Sequence, residues 1–215
     1  MTQYLELPDV QALRQADPLL IGIAGRAGSG KTAAANYLEQ QYDLQAAAFA
    51  EPLKDLLEQM FLDRGVDHAH LHEPGLKTTP IPQFYGLTAR QLMQRIGDWG
   101  RSIDAEYWVD QLAHRLGMAA PAVADRFPIH DRIVISDVRY FNEAAWVAAR
   151  GGVLIRLTRD SAGPAGTHSS ESQIDRLLVH WDVRNNGPTL DHLHAEMDWL
   201  MSCLQVSRCE RVGPF

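Results

Sequence analysis

The sequence predicts an α/β fold with five parallel strands, layered between helices, and three observations carry that prediction. Leu19–Ala24 (LLIGIA) is an almost unbroken apolar run, the pattern of a strand buried on both faces, and it leads through Gly25, Gly28 and Gly30 into a helix-prone stretch. Apolar runs of strand length recur at 44–49, 132–136 and 153–158, and 179–184 reads as a fifth strand, the segments being separated by stretches of helical periodicity. The run at 132–136 (RIVIS) delivers an acid, Asp137, at its carboxyl end, where open α/β sheets collect their ligands.

The first of these elements is the most informative. Residues 25–32 read GRAGSGKT, which satisfies G-x-x-x-x-G-K-[ST] without a mismatch. Glycines let the backbone curl so that its N–H groups face one anion, and the helix that follows adds partial positive charge. Ala27, Gly28, Ser29 and Gly30 supply the cradle, Lys31 reaches the outer phosphates, and the Thr32 hydroxyl is placed to hold magnesium. Strand, glycine turn and helix in this order identify a phosphate-binding loop, with the helix predicted over 33–41.

Composition narrows the partner. The chain has 215 residues, 46% of them apolar, enough for a large core and a small inserted lobe. Its 20 basic and 27 acidic residues give a net charge of −7, which argues against a nucleic-acid polymer as partner. Only Lys31, Lys54 and Lys77 are lysines. Cys203 and Cys209 lack metal-type spacing and suit a reducing cytoplasm. No stretch reads as a signal peptide or a membrane span.

In chain order, residues 1–17 carry a weak helical pattern broken by Pro8 and are expected to be an extension packed on the domain. After the second strand comes EPLKDLLEQMF, with Pro52 in a first helical turn and Leu53, Leu56, Leu57, Met60 and Phe61 forming one apolar face. That face would support a homodimer or pack within a monomer. Glu51 and Lys54 stand where this helix begins; they read either as a capping acid and a solvated lysine or, by position, as substrate contacts. His68, His70 and His72 alternate and would share a face only in a strand; a solvated loop is the simpler reading and a metal site the other. Residues 74–86 are expected to be an irregular connection.

Thr88 is the expected N-cap of a helix with Leu92, Met93 and Ile96 inward and Arg90, Gln94 and Arg101 placed to line a cleft. A second helix over 104–116 should bury Tyr107, Trp108 and Leu112. Beyond a loose connection at 117–131 and the strand ending in Asp137, Arg139 is suited to a two-pronged phosphate contact, unless it forms a surface pair with Glu143. Arg159, just past the fourth strand, opens a Gly/Pro-rich loop (159–171) that reads as a lid closing over phosphoryl transfer. Arg156, within that strand, is the other candidate lid charge and reads alternatively as a solvent-facing residue of an edge strand. Asn185 to Pro188 form a turn, and the last helix should bury Leu193, Met197, Leu200 and Leu204 on one face.

Taken together, GRAGSGKT, FAEPLK, KTTPIPQFYGLTARQLMQRIGDWGR, SDVRYFNEAAWVAARGG, THSSE and NNGPTLDHL, in that order, resemble the phage-type deoxynucleoside monophosphate kinases of the P-loop nucleoside monophosphate kinase superfamily. The resemblance covers most of the chain from Leu19 to about Leu204. It implies a three-layer α/β/α sandwich with an inserted monophosphate-binding lobe (51–116) and a lid. The implied reaction is transfer of the γ-phosphoryl group of ATP, with Mg2+, to a deoxynucleoside monophosphate, in a bacterial or phage-infected cytoplasm. By motif position it implies Lys31, Arg139 and Arg159 as catalytic and Thr32 as metal-facing, and Asp137, an acid ending an apolar strand, is the usual metal-facing partner of such a loop. Asn186, Gly187 and Pro188 would form the adenine side. On the acceptor side it implies Arg90, Arg101 and Arg139, with Glu51 of FAEPLK, and Lys54, Gln94, Trp108 and Glu143 are the further acceptor-side candidates. Family members more often carry Asp where this chain has Glu51. Competing readings are another small-molecule kinase, such as a dephospho-coenzyme A or sugar kinase, a nucleic-acid-dependent ATPase, and a regulatory nucleotide-binding protein.

Overall fold

A computed structural model of the chain describes residues 19–73, 75–118, 132–162 and 173–206. The expected N-terminal extension, most of the expected lid, most of the 117–131 connection and Cys209 lie outside the described residues. The chain divides into two compact units, one formed by residues 1–48 with 128–215 and the other by residues 49–127.

The first unit holds a five-stranded parallel sheet. Its strands are β1 (Leu19–Ala24), β2 (Gln45–Ala47), β5 (Arg132–Val138), β6 (Val153–Thr158) and β7 (Trp181–Arg184), ordered β2-β5-β1-β6-β7. The strand carrying the glycine loop is therefore central. Side chains alternate between the two faces of β1. Leu19, Ile21 and Ile23 join Val134, Ile155 and Leu157 under α1 (Lys31–Tyr42) and the last helix, Leu190–Cys203. On the other face Gly22 lies against Leu154, Val138 and Val147, the last of these from the helix Phe141–Ala149. Helices on both faces explain why every residue of β1 is buried and apolar. The last helix buries Leu193, Met197, Leu200 and Leu204, as its periodicity predicts.

The strand boundaries differ in two instructive places. β2 is shorter than the apolar run at 44–49. β5 continues through Val138, so Asp137 lies inside the strand and not after it. Gly22 pairs with Ile135 but Ala24 pairs with Val138, so two β1 steps face three β5 steps and a bulge falls at Ser136–Asp137. Bulges of this kind re-aim side chains beside functional sites.

The second unit is built from α2 (Glu51–Asp63), the short α3 (Ala69–His72), a hairpin of β3 (Pro80–Ile81) and β4 (Leu87–Thr88), α4 (Ala89–Ile103) and α5 (Tyr107–Arg115). The stretch expected to be irregular thus carries β3 between 3-10 turns at Leu76–Thr78 and Pro82–Phe84, the second of which lies in the loop leading to β4. Leu53, Leu57 and Phe61 enter the unit's core with Phe84, Leu92 and Trp108, whereas Leu56 and Met60 are exposed. The apolar face predicted for α2 is thus divided between a packed seam and solvent. Thr88 caps α4 as expected: its Oγ1 accepts the Gln91 N–H at 3.2 Å, and Gln91 Oε1 accepts the Thr88 N–H at 3.0 Å.

The histidine stretch forms a helical turn, which breaks the shared-face geometry a strand would have provided. His70 Nδ1 donates to the Leu76 carbonyl at 3.1 Å and His72 Nε2 contacts Glu58 Oε1 at 2.8 Å. Among the described residues no cluster of three His, Cys, Asp or Glu suited to a metal is present. Among them, too, no helix is long and apolar enough to cross a membrane.

Candidate active site

The loop after β1 is pinned by close backbone approach. Gly25 has φ +148°, and a Cβ there would lie 2.4 Å from the Leu157 carbonyl oxygen of β6. Gly30, with φ +101°, would place a Cβ 2.4 Å from Nδ2 of Asn185. Glycine is required at both positions by space as well as by torsion. Lys31 begins α1, and its Nζ donates to the Arg26 carbonyl at 2.7 Å, so the buried ammonium folds back over the loop. Ser29 N–H donates to the same carbonyl at 3.2 Å. The start of α1 has neither a side-chain cap nor an acid in its first turn, leaving its positive end for an anion. Ser29 is fully buried, and its Oγ has no hydrogen-bond partner among the described residues. Ala27, Gly28 and Thr32 are exposed.

Arg159 is exposed at the end of β6, and with Thr158 and Asp175 it lines a cleft shared with Gly25, Arg26 and Ser29. The structure therefore brings this predicted arginine to the phosphate loop. Arg26 of the loop forms an ion pair with Asp175. Arg156 corrects its sequence reading. β6 lies between β1 and β7 and is not an edge strand, and the Arg156 side chain is only 17% exposed. It grips Asp182 through two nitrogens, at 2.5 and 2.8 Å, and donates to the carbonyls of Ile174, Asp175 and Leu177. Its role is to fasten 174–177 to the sheet.

At the end of β5, Asp137 and Arg139 are half-buried. Glu143 is not a surface partner of Arg139, because it is 6% exposed and turned inward. Its Oε2 accepts the backbone N–H of Arg139 at 2.7 Å and of Tyr140 at 3.1 Å. Burial, and then the neighbouring charge of Asp137, raises its pKa to about 8, against the opposing pull of those two N–H groups and of the Arg139 cation.

On the other side of the sheet's central strand, Asn186 and Asp160 hold each other. The Asn186 amide donates to Asp160 Oδ2 at 2.8 Å, and the Asp160 N–H donates to Asn186 Oδ1 at 2.9 Å. Gly187 leaves room for His192, and Pro188 is exposed. Sequence reasoning placed Asn185 in a turn, but it is 5% exposed and its amide donates to the Ser29 carbonyl at 3.0 Å. The signal was the period of two in β7: Val183 is buried and Arg184 exposed, so Asn185 points inward again.

The remaining predicted residues lie in the second unit. Glu51 opens α2, with Arg115 Nε 3.6 Å away, and Arg115 also pairs with Asp55; Lys54 is half-buried one turn further on. Arg90, Gln94, Gly97 and Arg101 fall on one stripe of α4. A Cβ on Gly97 would lie 2.8 Å from Arg101 Nη2, so the glycine leaves room for the guanidinium, which also pairs with Asp98 at 3.0 Å. Trp108 is buried behind this stripe and donates its indole N–H to the Gly97 carbonyl at 2.9 Å. Its polar atom is thus engaged within the lobe.

No protein-family model matches the chain. A protein of Acanthamoeba polyphaga mimivirus bearing the name "Putative deoxynucleotide monophosphate kinase" is 30% identical over 191 residues, covering 86% of this chain and 96% of the viral protein. Two solved structures, a sugar kinase from Janibacter and the shikimate kinase of Acinetobacter baumannii in complex with shikimate, are 14% and 12% identical. Their TM-scores are 0.42 and 0.41, covering 87% and 90% of this chain and 94% and 97% of theirs. The glycine loop on a central parallel strand, with a likeness that spans nearly the whole viral protein, makes this a P-loop kinase of small molecules, and the chain belongs to the deoxynucleotide monophosphate kinase family.

Proposed function

We propose that the chain transfers the γ-phosphoryl group of ATP to a deoxynucleoside monophosphate, releasing ADP and a deoxynucleoside diphosphate. The observation that carries this reading is the match over 96% of a relative named for that substrate class, in a chain whose phosphate loop is already curled around Lys31. An oxygen of the acceptor phosphate attacks the γ-phosphorus as the bond to the β–γ bridging oxygen breaks, and the electron pair leaves with ADP. The acceptor is already a nucleophile, so no general base is required. The protein's work is alignment and charge neutralisation.

Lys31 and the loop N–H groups hold the donor phosphates, and Arg139 and Arg159 neutralise charge on the transferring group. Arg90, Gln94 and Arg101 form a stripe suited to the acceptor monophosphate, with Glu51 and Lys54 at the start of α2 as further contacts. Asn186, Gly187 and Pro188 frame the adenine side. The available metal donors are hard oxygens: the exposed Thr32 hydroxyl and the Asp137 carboxylate at the bulge. Two such protein oxygens, completed by phosphate and water, fit Mg2+ better than a softer ion. Bound there, magnesium would supply neutralisation of phosphate charge. A coupled ADP-release assay over all deoxy- and ribonucleoside monophosphates tests the reading. Release with one or more deoxynucleotides is expected; release with none of them overturns it.

A further inference from the structure

We propose that Asn185 is a positioning residue of the phosphate loop, setting the orientation of one N–H that receives the phosphates of ATP. The inference rests on the reading of that loop as the ATP site, and not on the identity of the acceptor. Asn185 follows β7, is nearly fully buried, and donates its side-chain amide to the Ser29 carbonyl at 3.0 Å. Its own backbone N–H donates to the Thr158 carbonyl at 2.8 Å, which anchors it to the end of β6. The residue is thus fixed to two strands before it touches the loop.

A trans peptide is planar, with its C=O and N–H pointing in opposite directions. Holding the Ser29 carbonyl toward Asn185 therefore turns the N–H of Gly30 away from β7, which presents it to the bound phosphates. Without the amide, this plane can rotate, because Gly30 has φ +101° and no side chain to resist. Gly30 also makes the arrangement possible, since any Cβ would fall 2.4 Å from Asn185 Nδ2. Only a donor fits opposite a carbonyl; an aspartate of the same shape would set a second acceptor against it. Preorganised N–H groups bind charge without reorganisation, so loosening one should weaken triphosphate binding more than it weakens the fold.

The test compares Asn185→Ala and Asn185→Asp in the full chain with Val183→Ala, a core truncation in the adjoining strand. Affinity is read without acceptor, by fluorescence titration with methylanthraniloyl-ATP and competition by inorganic tripolyphosphate, alongside Tm. Both Asn185 variants are expected to bind ATP and tripolyphosphate about tenfold more weakly. In steady state the KM for ATP should rise while that for the acceptor holds within twofold. Val183→Ala should lower Tm with ATP affinity unchanged. If Asn185→Ala does not fold, the isosteric Asn185→Asp carries the comparison. ATP affinity within twofold of the wild type in a folded Asn185 variant would overturn the proposal. A wild-type chain that binds ATP but phosphorylates no deoxynucleotide defeats the substrate assignment alone; one that binds no ATP defeats both.

Discussion

Oε2 of Glu143 accepts the backbone N–H of Arg139 at 2.7 Å, so the backbone of the arginine proposed for the transferring phosphate is held from behind by a buried acid. That contact fixes where the chain leaves β5, and it gives the fold a pH dependence. The folded chain keeps a proton on Glu143 up to about pH 8, whereas the unfolded chain releases it near 4.5. The associated stability is complete below about 4.5 and declines as pH rises through about 8, since the unfolded state then binds fewer protons. Glu143→Gln retains an acceptor oxygen and cannot ionise. Urea midpoints measured from pH 5 to 9 should shift in favour of the glutamine variant up to about pH 8, then run parallel. Parallel profiles throughout would show that the carboxyl titrates as an ordinary one.

Lys31→Ala and Arg139→Ala should each remove most activity and leave the fold intact. Lys31 contacts the loop carbonyl of Arg26, an interaction a helix start can lose without unfolding. Arg139 is half-buried beside the bulge, and Glu143 holds its backbone, so truncating the side chain leaves that contact in place. For Arg139 a fall of roughly a thousandfold in kcat is expected, the scale of an arginine stabilising a transferring phosphoryl group. Lysine at 139 should restore little, because a point charge lacks the planar fork. The ADP-release assay with a parallel Tm checks both halves of the expectation; full turnover in either variant would remove that residue from the mechanism.

The central strands were legible because they are buried on both faces, and such strands are written as apolar runs. β1 and its glycine loop could be read residue by residue. The bulge at Ser136–Asp137 could not, because nothing local distinguishes a strand that ends from one that slips register against its neighbour. Arg156 misled for a related reason. A charged residue inside a strand reads as an edge, yet here Asp182 and three carbonyls from 174–177 arrive from distant sequence to neutralise it. Glu143 was read by charge, when its burial decides its role. His68, His70 and His72 were weighed on strand geometry and form a helical turn. Each miss involves tertiary partners that a single sequence does not pair.

Arg156→Ala should destabilise the first unit by about 2 kcal/mol, mainly by leaving carbonyls of 174–177 without their donor. The charge pair contributes less, since Asp182 is half exposed. Arg156→Lys keeps the charge but cannot reach the carboxylate and three carbonyls together, so it should recover only part of the loss. Urea denaturation of the three proteins separates these terms. Full rescue by lysine would assign the stability to charge alone.

Gly100 and Trp108 form a fitted pair in the second unit, and their coupling can be measured. A Cβ on Gly100 would lie 2.7 Å from both Cε2 and Nε1 of the indole, which cannot retreat while Nε1 donates to Gly97 at 2.9 Å. Gly100→Ala therefore overpacks the seam between α4 and α5 and should cost roughly 1–3 kcal/mol, despite alanine's better helix propensity. Trp108→Phe loses the hydrogen bond and some volume, a cost of about 1–2 kcal/mol. Phenylalanine also vacates the space the new methyl group needs, so the two changes relieve each other. The double variant should be less destabilised than the sum of the singles by at least about 0.5 kcal/mol. Additive urea-denaturation energies would mean that the indole moves aside without strain, and that the glycine is not there to admit it.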